Sequence, residues 1–182
     1  MKYYTADTHF GHKAVISFEN RPFSSVEEMN NKLIENWNRK VKQSDDIYIL
    51  GDFCFYRNSE DVSNLLSQLS GNKHLIIGNH DQYLNKSSFN RDLFKSIKDL
   101  DVIHDKVNNK DYGIVLCHYP IQVWYNKHKG YLHLYGHVHS NKGTFHPMEY
   151  YIENSYNVGV DLWNYEPVTL KEILERKINY EI

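Results

Sequence analysis

The sequence predicts an α/β fold, on three observations. Short apolar, often β-branched runs recur along the chain, helix patterns separate the first of them, and the second half carries a hairpin signal. Runs of this length read as buried strands, and a 3.6-residue periodicity between them as helices covering the sheet.

Taken in order, Tyr3-Tyr4-Thr5-Ala6 is the first candidate strand. Ser24 and Ser25, with Glu27 and Glu28 three residues on, have the pattern of capping boxes, and Val26, Met29, Leu33, Trp37 and Val41 then form one apolar helix face. Ile47-Tyr48-Ile49-Leu50 follows as a strand. Ser59 is expected to cap a second helix with Val62, Leu65, Leu66 and Leu69 inward, and Gly71 to end it. Leu75-Ile76-Ile77 closes this strand and helix alternation. Beyond it, the stretches 101–107 and 112–116, joined at Asn108-Asn109, predict a hairpin and hence a mixed sheet. Leu132 to Tyr135 and Tyr156 to Val160 read as further strands, and Thr169 with Glu172 as the cap of a terminal helix carrying Leu170, Ile173 and Leu174. With no internal repeat or linker, the 182 residues are expected to form one domain, 1–182.

A formal charge of -2 and 41% hydrophobic residues describe an ordinary soluble chain, with no apolar run near the roughly 18 residues of a membrane span. The first residues lack the basic and apolar regions of a signal peptide, and Cys54 and Cys117 do not have zinc-site spacing. A cytoplasmic protein with free thiols and no membrane partner is expected.

The chemistry lies in five clusters: Asp7-Thr8-His9, Gly51-Asp52, Gly78-Asn79-His80-Asp81, His118, and Gly136-His137-Val138-His139. Each follows an apolar run, which places it at a strand's carboxyl end, where α/β sheets build their sites. Seven side chains (Asp7, His9, Asp52, Asn79, His118, His137 and His139) are oxygen or imidazole ligands, enough for two divalent cations sharing a carboxylate. The absence of thiolates favours Mn²⁺, expected first, or Fe²⁺, Zn²⁺ or Ni²⁺, over Ca²⁺ or Mg²⁺. On extended backbone, the i, i+2 spacing of Asp7 with His9, and of His137 with His139, would let each pair grip one ion. The glycines before Asp52, Asn79 and His137 suit tight turns where backbone passes close to the ions.

In this order the clusters resemble the signature of the calcineurin-like metallophosphoesterase family, over residues 7 to 139. The resemblance implies a β-sandwich of mixed sheets flanked by helices. It also implies that Asp7, His9, Asp52 and His139 bind one ion and Asp52, Asn79, His118 and His137 the other, with Asp52 as bridge. A hydroxide between the metals would attack phosphorus in line, and His80, oriented by Asp81, would assist the leaving oxygen. An imidazole with a pKa of about 6.5 suits that task.

Other residues are weighed against plainer roles. His12 is close enough to the first cluster to touch substrate phosphate, and Arg21 and Arg57, in loops after the first two clusters, are candidate phosphate clamps. His74, His104, His128, His133 and His146 read as structural or surface residues. Tyr119, Trp124 and Tyr125 read as packing, with base stacking as the alternative, and Lys127 with Lys129 is too short a basic patch to imply nucleic acid.

The chain is short for the family resembled, which implies an uncapped site and small substrates or exposed nucleic-acid ends. Its slight acidity favours a small nucleotide-like phosphodiester over DNA or RNA. A nuclease trimming nucleic-acid ends and a phosphomonoesterase are the alternative enzymes, and a metal-binding scaffold without catalysis the non-enzymatic one. The scaffold reading predicts a missing ligand or a missing His80, and neither is missing.

Overall fold

A computed structural model describes residues 1–140 and 152–176. Among the described residues, eight strands and four α-helices follow the order β1 (Lys2–Thr5), α1 (Lys13–Phe18), α2 (Val26–Lys40), β2 (Asp46–Leu50), α3 (Ser59–Gln68), β3 (Asn72–Ile76), β4 (Ser96–Lys98), β5 (Leu100–Val107), β6 (Lys110–Cys117), β7 (Leu132–Tyr135), β8 (Ser155–Asn157) and α4 (Leu170–Glu175). Two four-stranded sheets result, β1-β2-β3-β4 and β5-β6-β7-β8. The first is parallel throughout. The mixture of directions lies in the second, where β5 and β6 are antiparallel and β6, β7 and β8 parallel.

Strand alternation explains why the sheets stack. In β2, Ile47 and Ile49 pack with Met29, Leu33 and Trp37 of α2 and Val62 and Leu65 of α3. Tyr48 and Leu50, on the opposite face, join Tyr4, Ile76, Ile114, Leu116, Leu132 and Leu134. The layers therefore run helices, parallel sheet, mixed sheet, and the fold is the α/β sandwich flanked by helices that the resemblance implied. Each large aliphatic side chain withdrawn from water contributes about 1.5–3 kcal/mol.

The local signals behave as their chemistry requires, with three differences. Ser25 accepts the Glu28 amide at 3.1 Å, and Thr169 and Glu172 form a reciprocal capping box. The hairpin turn falls on Asn108 and Asn109, both left-handed at φ 50° and 65°, as a two-residue turn between right-twisted strands demands. The cap of α3, however, is Asn58, whose side-chain Oδ1 accepts the Glu60 amide, and Ser59 is the first helical residue. Gly71 does not end α3, which stops at Gln68; it turns the chain into β3.

The third difference positions the site. The strand expected over 156–160 ends at Asn157, after which Gly159 bridges to Ala6 and the Val160 amide bonds to the Ala6 carbonyl at 3.0 Å. The chain thus crosses from the edge of the second sheet to the end of the first, carrying Asp161 with it. Among the described residues no helix is long and apolar enough to cross a membrane. His146 lies outside the described residues.

Candidate metal centre

The five clusters meet at the carboxyl ends of β1, β2, β3, β6 and β7. Asp7, His9, Asp52, His137 and His139 all have positive φ, from 47° to 71°. Non-glycine residues adopt this region at a cost of order 1–3 kcal/mol, so these five ligand positions carry backbone strain. The extended geometry expected for the two i, i+2 pairs does not occur, and turns present the side chains instead.

Among the expected ligands two groups form: Asp7, His9 and His139 offer atoms within 4.8 Å of one another, and Asp52, His118 and His137 do likewise, while Glu19 and Asp161 make a third group with His139. The His137 and His139 pair is therefore divided between groups, against the spacing argument and as the family resemblance implied. Asn79 Oδ1 lies 3.0 Å from His118 Nε2 and adds a neutral oxygen to the second group. Asp52 stands between them. Its Oδ2 is 3.7 Å from His9 Nε2 and its Oδ1 is 3.6 Å from His118 Nε2, so its two oxygens face different groups.

The surroundings fix which imidazole nitrogens are presented. His118 Nδ1 donates to the Leu50 carbonyl at 2.7 Å, leaving Nε2 for the centre. His139 Nδ1 bonds Asp161 Oδ2 at 2.9 Å, and its Nε2 comes within 3.3 Å of His9 Nε2. Carbonyl and carboxylate partners of this kind orient metal-ligating histidines. Asp161 escaped the sequence reading because its cluster carries no ligand motif; the signal was a lone acid after a strand.

The electrostatics call for a cation. Burial pushes the Asp7 carboxyl up to about 7, and the nearby Asp52 works the same way, although His139 and the His137 amide oppose it. Burial also holds His9 well below the usual imidazole range, and buried His9 Nδ1 has no hydrogen-bond partner. Divalent ions would reverse the first pressure by giving the carboxylates counter-charge, and the second already keeps His9 in the neutral form that a metal ligand needs. The donor set fits two such ions. Burial likewise works against a charged His139, but Asp161 and Asp7 hold its pKa up.

Two expected roles are corrected by the geometry. Arg21 does not face a substrate. Its side chain is fully buried: Nε and Nη2 bond the Asp161 carboxylate at 2.8 and 3.0 Å, Nη2 also reaches the Asp7 carbonyl at 2.8 Å, and Nη1 the Thr8 carbonyl at 3.0 Å and Met29 Sδ at 3.4 Å. All five N–H donors are engaged, leaving none for phosphate. Asp81, in turn, bonds main chain: it accepts the amides of Asp52 (3.0 Å), Phe53 (2.9 Å) and Gly78 (2.8 Å). It pins the loop that carries Asp52, while burial pushes its own pKa up to about 7 against the Gly78 and Phe53 amides.

His80 sits at the mouth, its side chain 41% exposed, with Nε2 4.0 Å from Asp52 Oδ2 and its main-chain amide bonded to Asp52 Oδ1 at 2.8 Å. His12 stacks on Phe55 at 3.6 Å, and Arg57 is exposed before α3. Tyr119, 43% exposed, lies edge-on to His118 and His137, whereas Trp124 is buried against His133. His133 is fully buried and bonded to main chain, His104 pairs with Asp111, and His74 with Ser96.

Close backbone approach is real at Gly78, where a Cβ would sit 2.4 Å from both Asp52 N and Asp52 Oδ1. Because Asp81 fixes that amide, the strain must be relieved by moving the carboxylate. Gly78→Ala is expected to weaken metal binding by about 10–100-fold and to cost about 1–3 kcal/mol. Metal titration calorimetry and thermal melts check this; affinity equal to the parent's would show that the carboxylate has room to shift.

Residues 3–141 match the family described as calcineurin-like phosphoesterase. An uncharacterised protein of Methanocaldococcus jannaschii is 35% identical over 174 residues, spanning 95% of this chain and 89% of that one. The gene 66 protein of Mycobacterium phage L5 is 26% identical over 189 residues, spanning 88% of this chain and 86% of its own. A solved structure, of a protein of unknown function from Aquifex aeolicus, is similar with a TM-score of 0.71 at 26% identity, covering 96% of this chain and 98% of that chain.

Proposed function

This chain belongs to the calcineurin-like phosphoesterase family, and on that premise we propose that it hydrolyses a small nucleotide-like phosphodiester with two divalent cations, Mn²⁺ first among them. One observation supports the reading above others: the two oxygens of Asp52 face two separate histidine-bearing groups. Two cations held there would supply Lewis acidity toward phosphoryl oxygens and lower the pKa of a bound water.

The protein's own part is positional. Asp7, His9 and His139 would hold one ion, Asn79, His118 and His137 the other, and Asp52 both. His80, open to solvent above Asp52, would give its Nε2 proton to the departing oxygen. Its orientation comes from its main-chain bond to Asp52 and from the rings of Phe55 and His9, 4.7 and 5.6 Å away, in place of Asp81. His12 and Arg57 remain the residues proposed to meet the substrate from the rim. Withdrawal of Arg21 into the interior takes one cation away from that rim, which weighs against nucleic acid as substrate.

The deciding experiment compares hydrolysis of bis-p-nitrophenyl phosphate with that of p-nitrophenyl phosphate by chelator-stripped protein to which Mn²⁺ is returned. Preferential cleavage of the diester supports the proposal, preference for the monoester makes the protein a phosphatase, and turnover of neither with several metals leaves the scaffold. His80→Ala should keep both metal positions, because the amide that steadies Asp52 belongs to the main chain, while kcat falls by about 10²–10⁴-fold. Loss of the metals by that variant would refute the assigned role.

A further inference from the structure

Four aromatic rings run in a row from the mouth of the centre. His80 stands nearest Asp52; Phe55 lies 4.7 Å from it between centroids; His12 stacks on Phe55 at 3.6 Å with 5° between planes; Phe18 meets His12 edge-on at 6.5 Å. His9 lies 5.6, 5.5 and 5.3 Å from the first three, so the row arches over a buried ligand.

Its outer end is unusual. Phe18 closes the six-residue helix α1 with 73% of its surface in water, outside both core clusters. A single exposed apolar residue is ordinary, but this one ends a row of ring contacts that begins at His80, the group placed beside the departing oxygen. The buried Nδ1 of His12 has no hydrogen-bond partner, so ring faces, and not a polar bond, hold that imidazole.

We propose that this row is the subsite for the leaving group, and that it takes a flat, uncharged aromatic group such as the base of a nucleoside. The proposal rests on the phosphoesterase reading, because His80 defines the side on which the ester oxygen departs. Two phenyl rings and two imidazoles present aromatic surface and no carboxylate or ammonium, although His12 and Phe55 turn one face each to the other. Recognition by such faces tolerates any base and excludes no ring of similar size. Tyr119 belongs to the other side, against His118 and His137, and is not part of this row.

The test needs no hydrolysis. Saturation-transfer NMR on the full chain loaded with diamagnetic Zn²⁺ compares adenosine with ribose, which differ by the base. Adenine protons should receive saturation and ribose should not. Phe18→Ala should weaken adenosine by about tenfold, and Phe18→Trp should restore it. Equal response from adenosine and ribose, or undiminished adenine contact in Phe18→Ala, overturns the subsite. Diester hydrolysis without adenine contact would sink this proposal and leave the reaction standing; adenine contact without hydrolysis of any diester would do the reverse.

Discussion

Asp52→Ala is expected to lose metal-dependent turnover altogether, its rate falling to that of chelator-stripped protein. The argument is geometric. Asp52 is 2% exposed, and its oxygens face His9 on one side and His118 on the other. Neither group keeps a full ligand set without it: the first falls back on Asp7, His9 and His139, the second on His118, His137 and the neutral Asn79. The second group then has no carboxylate, and metal content should drop from two ions per chain to one or none.

Stability should move the other way in the absence of metal. Asp52 adds negative charge beside Asp7 and Asp81 and helps push both of their pKa values up, so removing it relieves like-charge crowding. The stripped variant should melt no lower than the stripped parent. Mn²⁺ should raise the melting temperature of the parent, since it binds only the folded state, and should leave the variant nearly unchanged. Atomic absorption, diester hydrolysis and paired melts with and without Mn²⁺ together check this. Two ions and parental activity in the variant would defeat the two-metal arrangement.

How much of this was legible in sequence depends on where the information lies. The strand runs, the caps at Ser25 and Thr169 and the Asn108-Asn109 turn are local signals, and local chemistry decided them. The ligand clusters were legible because metal chemistry restricts residue type. What misled were arguments that assumed a backbone state or an environment. Extended geometry was assumed for Asp7 with His9 and for His137 with His139, but all four residues are left-handed. Its place in a loop after the first cluster makes Arg21 a candidate phosphate clamp, yet its partner Asp161 is 140 positions away and arrives only through the crossing from β8 to Ala6. Asp81 looked like an orienter of its neighbour, whereas its carboxylate reaches back 28 and 29 residues to the Phe53 and Asp52 amides. Short β4 and α1 left no periodicity long enough to read.

The same long-range contacts make Arg21→Met the most destabilising substitution expected here outside the ligands. Arg21 joins three pieces of chain: the Asp7-Thr8 carbonyls, Asp161, and through Asp161 the ring of His139. Methionine keeps the apolar stem and removes every donor. Asp161, whose side chain is 3% exposed, then stays buried with His139 as its remaining charged partner, and two carbonyls lose their bonds. Removing one member of a buried ion pair costs about 3–5 kcal/mol, because the other charge is left uncompensated. For a chain of this size that corresponds to a melting temperature lower by about 10 °C. Lysine should not rescue it, since one ammonium cannot reproduce a planar fork that spans a carboxylate and two carbonyls. A double variant, Arg21→Met with Asp161→Asn, should melt above the sum of the two single losses, because the uncompensated carboxylate is gone. Thermal melts of the stripped proteins measure this without reference to catalysis. Additive losses, or a shift of only a degree or two in Arg21→Met, would mean that the arginine merely occupies the space it fills, and that His139 is positioned by its own turn.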